Sequence, residues 1–374
     1  MARRASQAKA EMELLSGRVM VLHGLKASSE LNGCHVEVLA SAPCDERSRV
    51  AARALDTSER KLLVKASNMR PRGPYERTRP LAELAPALAP FVYVRSADGL
   101  ETNLLVLLHG LGDTAENFAG FGRKLELPQT SLLALTAPSK LPFEMGSGWY
   151  AAFEQDGSPI AEPARPGDRR RAEGLRASRI AVQTVLRGLV DRCNWRPSEL
   201  FILGFSQGGT VALDVATHSA SPPFGGAVGL SSACLLAEQD GCKDGRSEQT
   251  ALRAPLLSLH GTLDEVVPIT LSRATHDALR ARLAAAPPTA RADGAAPVRL
   301  GRDGGEAPQH EFVELAGGRH TTPQSAEHVR PLIAFFGRHL LSRSPTLEAD
   351  AGVIEVTRGV GVASLHAHAE SPIL

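Results

Sequence analysis

The stretch Glu199-Leu-Phe-Ile-Leu-Gly204-Phe-Ser206-Gln-Gly208-Gly-Thr-Val-Ala-Leu-Asp-Val-Ala216 decides the fold. Its first half is a short apolar run of strand length, and its second half repeats apolar residues at helical spacing. Between them, Gly204, Ser206 and Gly208 form G-x-S-x-G. A strand that turns abruptly into a helix leaves the central serine exposed on a strained backbone, and the flanking glycines give the crossing chain room. The reading outward from this turn is therefore of a strand, a sharp corner carrying Ser206, and a helix packed back on a sheet.

Other strand candidates extend the pattern on both sides: NLLVLLHG before residue 110, LLALTAP near 132, AVGLSS near 227, PLLSLHG near 255 and EFVELAGG near 311. Such nearly continuous apolar runs indicate strands covered on both faces, as in a parallel sheet between helix layers. Leu175, Ser178, Val182, Val185, Leu186 and Leu189 recur at helical spacing, and Leu271 to Ala286 reads as a further helix. The expected class is α/β, with a mostly parallel central sheet. FVYVRSADGLETNLLVLLHG, starting at Phe91, reads as two strands joined by an Asp98-Gly99 hairpin turn.

A serine hydroxyl is a poor nucleophile unless a base takes its proton, and the base needs an acid to fix its tautomer. In an open α/β sheet both belong on loops beyond the carboxyl ends of later strands. PLLSLH is followed by GTLDEVVP, which places Asp264 in one such loop; EFVELA is followed by GGRHTTP, which places His320 in the next. The adjacent Glu265 is an alternative acid, though its side chain should point elsewhere. His310 stands at the entry of its strand and hence at the opposite edge. Acyl transfer also needs two N–H donors where the oxyanion develops. They are assigned to Gln207, after the nucleophile, and to Leu111 in the glycine-rich loop His109-Gly-Leu-Gly-Asp113.

These segments, LLHGLGDTAENF, GFSQGGTVAL, HGTLDEVVP and GGRHTTP, resemble the phospholipase/carboxylesterase branch of the α/β hydrolases, which includes acyl-protein thioesterases and lysophospholipase-like esterases. The resemblance covers about residues 95 to 342. It implies an α/β-hydrolase fold, Ser206 as nucleophile, His320 as base, Asp264 as orienting acid, and hydrolysis of esters or thioesters through an acyl-enzyme without a cofactor or metal. The substrates it implies are acylated proteins or lipid esters, such as long-chain acyl groups on protein cysteine or on lysophospholipid. A serine peptidase on the same fold and a non-catalytic binding scaffold are the alternatives. Where family members commonly carry a Trp-aromatic-Asp stretch, this chain has Trp149-Tyr150-Ala151, in a longer loop from Pro142 to Arg171. Phe118, Trp149 and Tyr150, with Phe121 and Phe153, are expected to line an apolar substrate groove.

The flanking regions differ in character. Residues 1–15 are expected to be a flexible terminus. From residue 16 to 70, RVMVLHGL, CHVEVLA, RVAARAL and KLLVKA alternate between turn clusters and read as a small all-β unit. Its GL, ELNG and KLLVKASNM pattern resembles the SH3-like β-barrel modules of many eukaryotic enzymes, which implies a possible protein partner. Residues 71–90 are rich in proline and are expected to be an extended linker to a catalytic domain at 91–342. Within that domain, 284–309 reads as a low-complexity insertion; 343–374 reads as a flexible tail.

Composition narrows the function further. The chain has 374 residues, 42 Lys+Arg against 41 Asp+Glu, and 43% hydrophobic residues, which excludes an acidic disordered chain and supplies no overall basic field for nucleic acid. No apolar run approaches the ~18 residues of a spanning helix, so no stable membrane insertion is expected. The start, MARRASQAKAEMELL, lacks the apolar core of a secretory signal. Five scattered cysteines without paired spacing suggest reduced thiols and a cytoplasmic setting. Arg169-Arg170-Arg171 reads as a solvated face, and His366 and His368 lack the further ligands a metal would need.

Overall fold

A computed structural model describes residues 17–39, 49–55, 60–80, 82–141, 145–154, 156–160, 169–218, 220–233, 254–285 and 310–345. The expected terminus at 1–15, nearly all of the expected insertion, and the tail beyond 345, with His366 and His368, lie outside the described residues.

The N-terminal unit is all β: β1 (Val19–Leu22), β2 (His35–Val38), β3 (Arg49–Ala54), β4 (Lys61–Lys65) and β5 (Met69–Pro71). They form one antiparallel sheet in the order β4-β3-β2-β1-β5. Period-two alternation turns Met20, Leu22, Val36, Val38, Val50, Ala52, Val64 and Met69 to a common core. The described strands do not form the closed barrel expected of an SH3-like module. Among the described residues β4 and β5 do not pair, so the antiparallel sheet keeps two edges.

The stretch 71–90 is also not the extended linker that its prolines suggested. Leu84, Ala85 and Leu88 enter the core of the larger unit, and Arg77 forms a buried ion pair with Glu199 at 2.8 Å. The Arg77 guanidinium also stacks 4.3 Å from the Trp195 ring centroid. Prolines dictated the backbone, but these side chains dictated where it lies. Arg53 meets Glu37 at 2.7 Å and Glu83 at 2.8 Å, which ties the N-terminal sheet to this stretch.

The larger unit comprises β6 (Val92–Val94), β7 (Asn103–Leu108), α1 (Ala115–Lys124), β8 (Thr130–Leu135), the short pair β9 (Ser139–Lys140) and β10 (Ser147–Gly148), and α2 (Arg170–Asp191). It continues with β11 (Leu200–Phe205), α3 (Gln207–Thr217), β12 (Gly226–Leu230), β13 (Leu256–Gly261), α4 (Ile269–Ala285), β14 (His310–Leu315) and α5 (Ala326–His339). The main sheet runs β14-β13-β12-β11-β7-β8-β6, and only the β6–β8 pair is antiparallel. The Asp98-Gly99 turn exists, but it does not make the expected hairpin. β7 has both edges taken by β11 and β8, so β6 pairs with β8 on the far side.

Successive residues of the central strands serve opposite layers. Leu104, Val106, Leu200 and Ile202 face α2 and α3. Leu105, Leu107, Phe201 and Leu203 face α1 and α5, meeting Phe118, Phe335 and Phe336. Burial on both faces explains why these strands are apolar at every position. The carboxyl ends of β7, β11, β13 and β14 consequently open onto the same rim.

Candidate active site

At the end of β11 the chain turns on Ser206, whose backbone sits at φ 52° and ψ −118°, and enters α3 at Gln207. A non-glycine residue held there is strained, and the surroundings enforce it. A Cβ on Gly208 would lie 2.2 Å from the Leu108 carbonyl oxygen, so only glycine lets α3 start against the end of β7.

His320, in the loop after β14, places Nε2 3.0 Å from Ser206 Oγ. Its Nδ1 lies 2.8 Å from Asp264 Oδ2 and 3.0 Å from Oδ1. A carboxylate only accepts, so Nδ1 carries the imidazole proton and Nε2 is bare toward the serine hydroxyl. The Asp264 side chain is fully buried, whereas that of His320 is 15% exposed. The backbone N–H groups of Val266 and Val267 donate to Asp264 Oδ1 at 3.0 and 2.8 Å. These donors fix the carboxylate and compensate its charge. The neighbouring Glu265 instead makes a solvent-facing ion pair with Arg319 at 3.0 Å. His310, at the first position of β14, stands at the other end of the sheet, with Nε2 3.3 Å from His276 Nδ1. Three residues far apart in sequence thus meet in one hydrogen-bonded chain, and both rivals fall outside it.

The glycine-rich loop after β7 approaches the same point. A Cβ on Gly110 would come within 2.9 Å of the Phe205 ring and 3.5 Å of Ser206 Cβ. One on Gly148 would meet both Leu111 Cδ1 at 2.9 Å and Gln207 Oε1 at 3.2 Å, so Leu111 and Gln207 converge on the β10 corner. Gln207 is the first residue of α3, and its backbone N–H has no acceptor within the helix.

His109 is buried beneath this loop and organises it, a role the sequence reading did not assign. Its Nδ1–H donates to the Gly110 carbonyl at 2.7 Å, and Nε2 accepts from Ala137 N–H at 3.1 Å. Both bonds require the neutral ring, and burial shifts its pKa downward in agreement.

The expected aromatic groove is revised. Phe118 is buried in the α1 layer and stacks on Phe121 with centroids 5.5 Å apart; it packs on the sheet and not at the site. Trp149 and Tyr150 do lie beside the site, but they support it from below. Trp149 is 1% exposed and donates through Nε1 to the His109 carbonyl at 2.8 Å, and Tyr150 is also buried. Gln207 Oε1 accepts from Trp149 N–H at 2.9 Å, and Gln207 Nε2 donates to the Tyr150 carbonyl at 3.2 Å. The apolar side chains most open to solvent near the rim are Met145, Leu263 and Val266, at 50%, 57% and 61% exposure. Alternation and periodicity could not have singled them out, because they stand in loops.

Arg170 pairs with Glu154 at 2.9 Å, Arg169 lies 3.6 Å from Glu173, and Arg171 is buried near the Tyr150 ring, so the three arginines do not share one face. Among the described residues no group of three or more His, Cys, Asp or Glu side chains is arranged to hold a metal. Among the same residues no helix is long and apolar enough to cross a membrane.

The phospholipase/carboxylesterase family model matches residues 90–288, more than half of the chain. The chain belongs to this family. The matched span contains Ser206 and Asp264 and ends before His320. Among family relatives, an uncharacterized hydrolase of Mycosarcoma maydis is 37% identical over 142 residues, which are 36% of this chain and 50% of that protein. An uncharacterized hydrolase of Schizosaccharomyces pombe is 30% identical over 118 residues, 30% of this chain and 44% of that protein. The chain thus spans about half the length of these curated relatives, or less. The crystal structure of Zea mays acyl-protein thioesterase 2 has 22% identity and a TM-score of 0.45, covering 66% of this chain and 97% of that one.

Proposed function

We propose that the protein is a serine hydrolase that cleaves carboxylic esters or thioesters through an acyl-enzyme. The observation that carries this reading is the continuous contact from Ser206 Oγ through His320 to Asp264, at 3.0 and 2.8 Å. In the first half-reaction Ser206 Oγ bonds to the substrate carbonyl carbon while its proton passes to His320 Nε2. The developing oxyanion is met by the backbone N–H groups of Leu111 and Gln207. The carbon–oxygen or carbon–sulfur bond then breaks, and His320 returns the proton to the departing alcohol or thiol. Water repeats the sequence: it adds to the acyl carbonyl, gives a proton to His320, and Ser206 leaves with that proton restored. Asp264 holds the ring and stabilises the imidazolium formed in each half.

The substrate class we assign is an acyl ester or acyl thioester whose chain is taken up beside the exposed Met145, Leu263 and Val266. A fluorophosphonate probe is expected to label the wild type and not Ser206→Ala. A series of p-nitrophenyl esters and acyl thioesters of increasing chain length, run beside peptide amides, distinguishes the classes. Equal labelling of Ser206→Ala would refute the nucleophile, and turnover confined to the amides would make the protein a peptidase.

A further inference from the structure

His260 occupies the last position but one of β13, 1% exposed, directly below the loop that carries Asp264. Its Nε2 lies 2.8 Å from the Val267 carbonyl oxygen. That oxygen can only accept, so Nε2 carries the proton. The same Nε2 is 3.4 Å from Asp264 Oδ2, the oxygen closest to His320 Nδ1. Val267 is therefore held from two sides, its N–H by Asp264 Oδ1 and its carbonyl by His260. The three residues close a ring around the turn that presents the carboxylate. Among the described residues His260 Nδ1 is buried without a hydrogen-bond partner. An unpaired buried nitrogen carries a desolvation cost that an apolar side chain would not incur, so packing alone is a poor account of an imidazole here.

We propose that His260 is a positioning residue for the acid of the triad: its Nε2–H fixes the 264–267 turn and presents a positive dipole to Oδ2, which aims Asp264 at His320. The proposal rests on the serine-hydrolase reading given above. A carboxylate released from this ring no longer holds the His320 ring toward Ser206. The proton transfer then loses its alignment, and of the apolar side chains at the rim Val266, which belongs to the same turn, shifts with it.

The test compares three variants on one ester, with active sites titrated by a fluorophosphonate so that rates are expressed per competent site. His260→Leu removes the donor and is expected to lower kcat by about 10- to 100-fold, the usual effect of misplacing a catalytic group. On a short-chain ester, whose acyl group does not extend to Val266, KM should stay within about twofold. His260→Gln, whose amide nitrogen reaches the Nε2 position, is expected to recover kcat to within about threefold of wild type. His260→Asn reaches only the Nδ1 position and should behave like the leucine variant, which keeps the test decisive if His260→Leu fails to fold. Wild-type kcat per titrated site in His260→Leu or His260→Asn would overturn the proposal, as would equal losses in the Gln and Asn variants. A wild type inert to both probe and esters would overturn the parent reading and this proposal with it. An active wild type with indifferent variants overturns this proposal alone.

Discussion

The substitution Gly208→Ala adds one methyl group at the point where α3 begins. Its Cβ would sit 2.2 Å from the Leu108 carbonyl oxygen and 2.5 Å from that of His109, whereas real Cβ atoms essentially never come closer than 3.0 Å. Relief requires roughly 1 Å of movement to restore an ordinary van der Waals separation. β7 cannot recede, because it is hydrogen-bonded to β11 on one edge and β8 on the other. The start of α3 must move instead, and it carries Ser206 and the Gln207 N–H away from the glycine-rich loop and from His320. Overpacking of this size costs about 1–3 kcal/mol of stability. A displacement of about 1 Å at the reacting groups costs about 100-fold in rate, equivalent to ~2.7 kcal/mol of barrier. The assay is kcat/KM on a p-nitrophenyl ester per fluorophosphonate-titrated site, with thermal unfolding measured in parallel. Gly120→Ala in α1 is the control: nothing lies within 4 Å of its added Cβ, so it should be neutral or stabilising by up to ~1 kcal/mol. A Gly208→Ala enzyme with wild-type kcat/KM would refute the claim that the close approach of α3 to β7 sets the serine's position.

Two further outcomes concern stability. Arg179 of α2 and Asp214 of α3 form a buried ion pair at 3.0 Å; Arg179→Ala is expected to cost about 3–5 kcal/mol in urea unfolding, and the double replacement Arg179→Met with Asp214→Leu much less, because it leaves no buried charge uncompensated. Burial, aided by His276 and Arg280, lowers the pKa of His310 from 6.5 to about 4. Its neutral form is therefore the one that folds: the stabilisation is complete above pH 6.5 and is lost as pH falls toward 4, by up to about 3 kcal/mol. Urea unfolding across this window should show a shallower decline in His310→Gln than in wild type.

The parts of the site that could be read from the sequence are those fixed by neighbours along the chain. A strand running into Gly-Phe-Ser-Gln-Gly has few conformations open to it, and Ser206 takes the strained one. Asp264 and His320 were readable for a related reason. In a parallel sheet, residues just beyond a strand's end share a rim whatever the strand order. Strand order itself is decided by edges that compete at a distance, and the local Asp98-Gly99 turn could not reveal that β8 would occupy the edge of β7. The same limit hid the docking of 71–90, where Arg77 finds Glu199 across 122 positions of sequence. It also hid the true place of Phe118: helical spacing says that a residue faces the sheet, not which sheet face or which end receives it.

Ala151 stands where family members commonly carry an acid, and the loop keeps its place without one. The loop that carries it is fixed by groups that do not involve the residue 151 side chain: the Gln207 amide grips Trp149 and Tyr150, the Trp149 indole reaches the His109 carbonyl, and Ser178 Oγ donates to the Trp149 carbonyl. Gly174 of α2 completes the seat, since a Cβ there would meet Tyr150 Cβ at 2.9 Å. An acid at 151 is therefore not needed to hold the loop against the nucleophile turn. Gln207 joins the two directly, because its side chain anchors the loop and its backbone opens α3 next to Ser206. The alanine at 151 thus leaves the contacts that seat this loop beside Ser206 as they are.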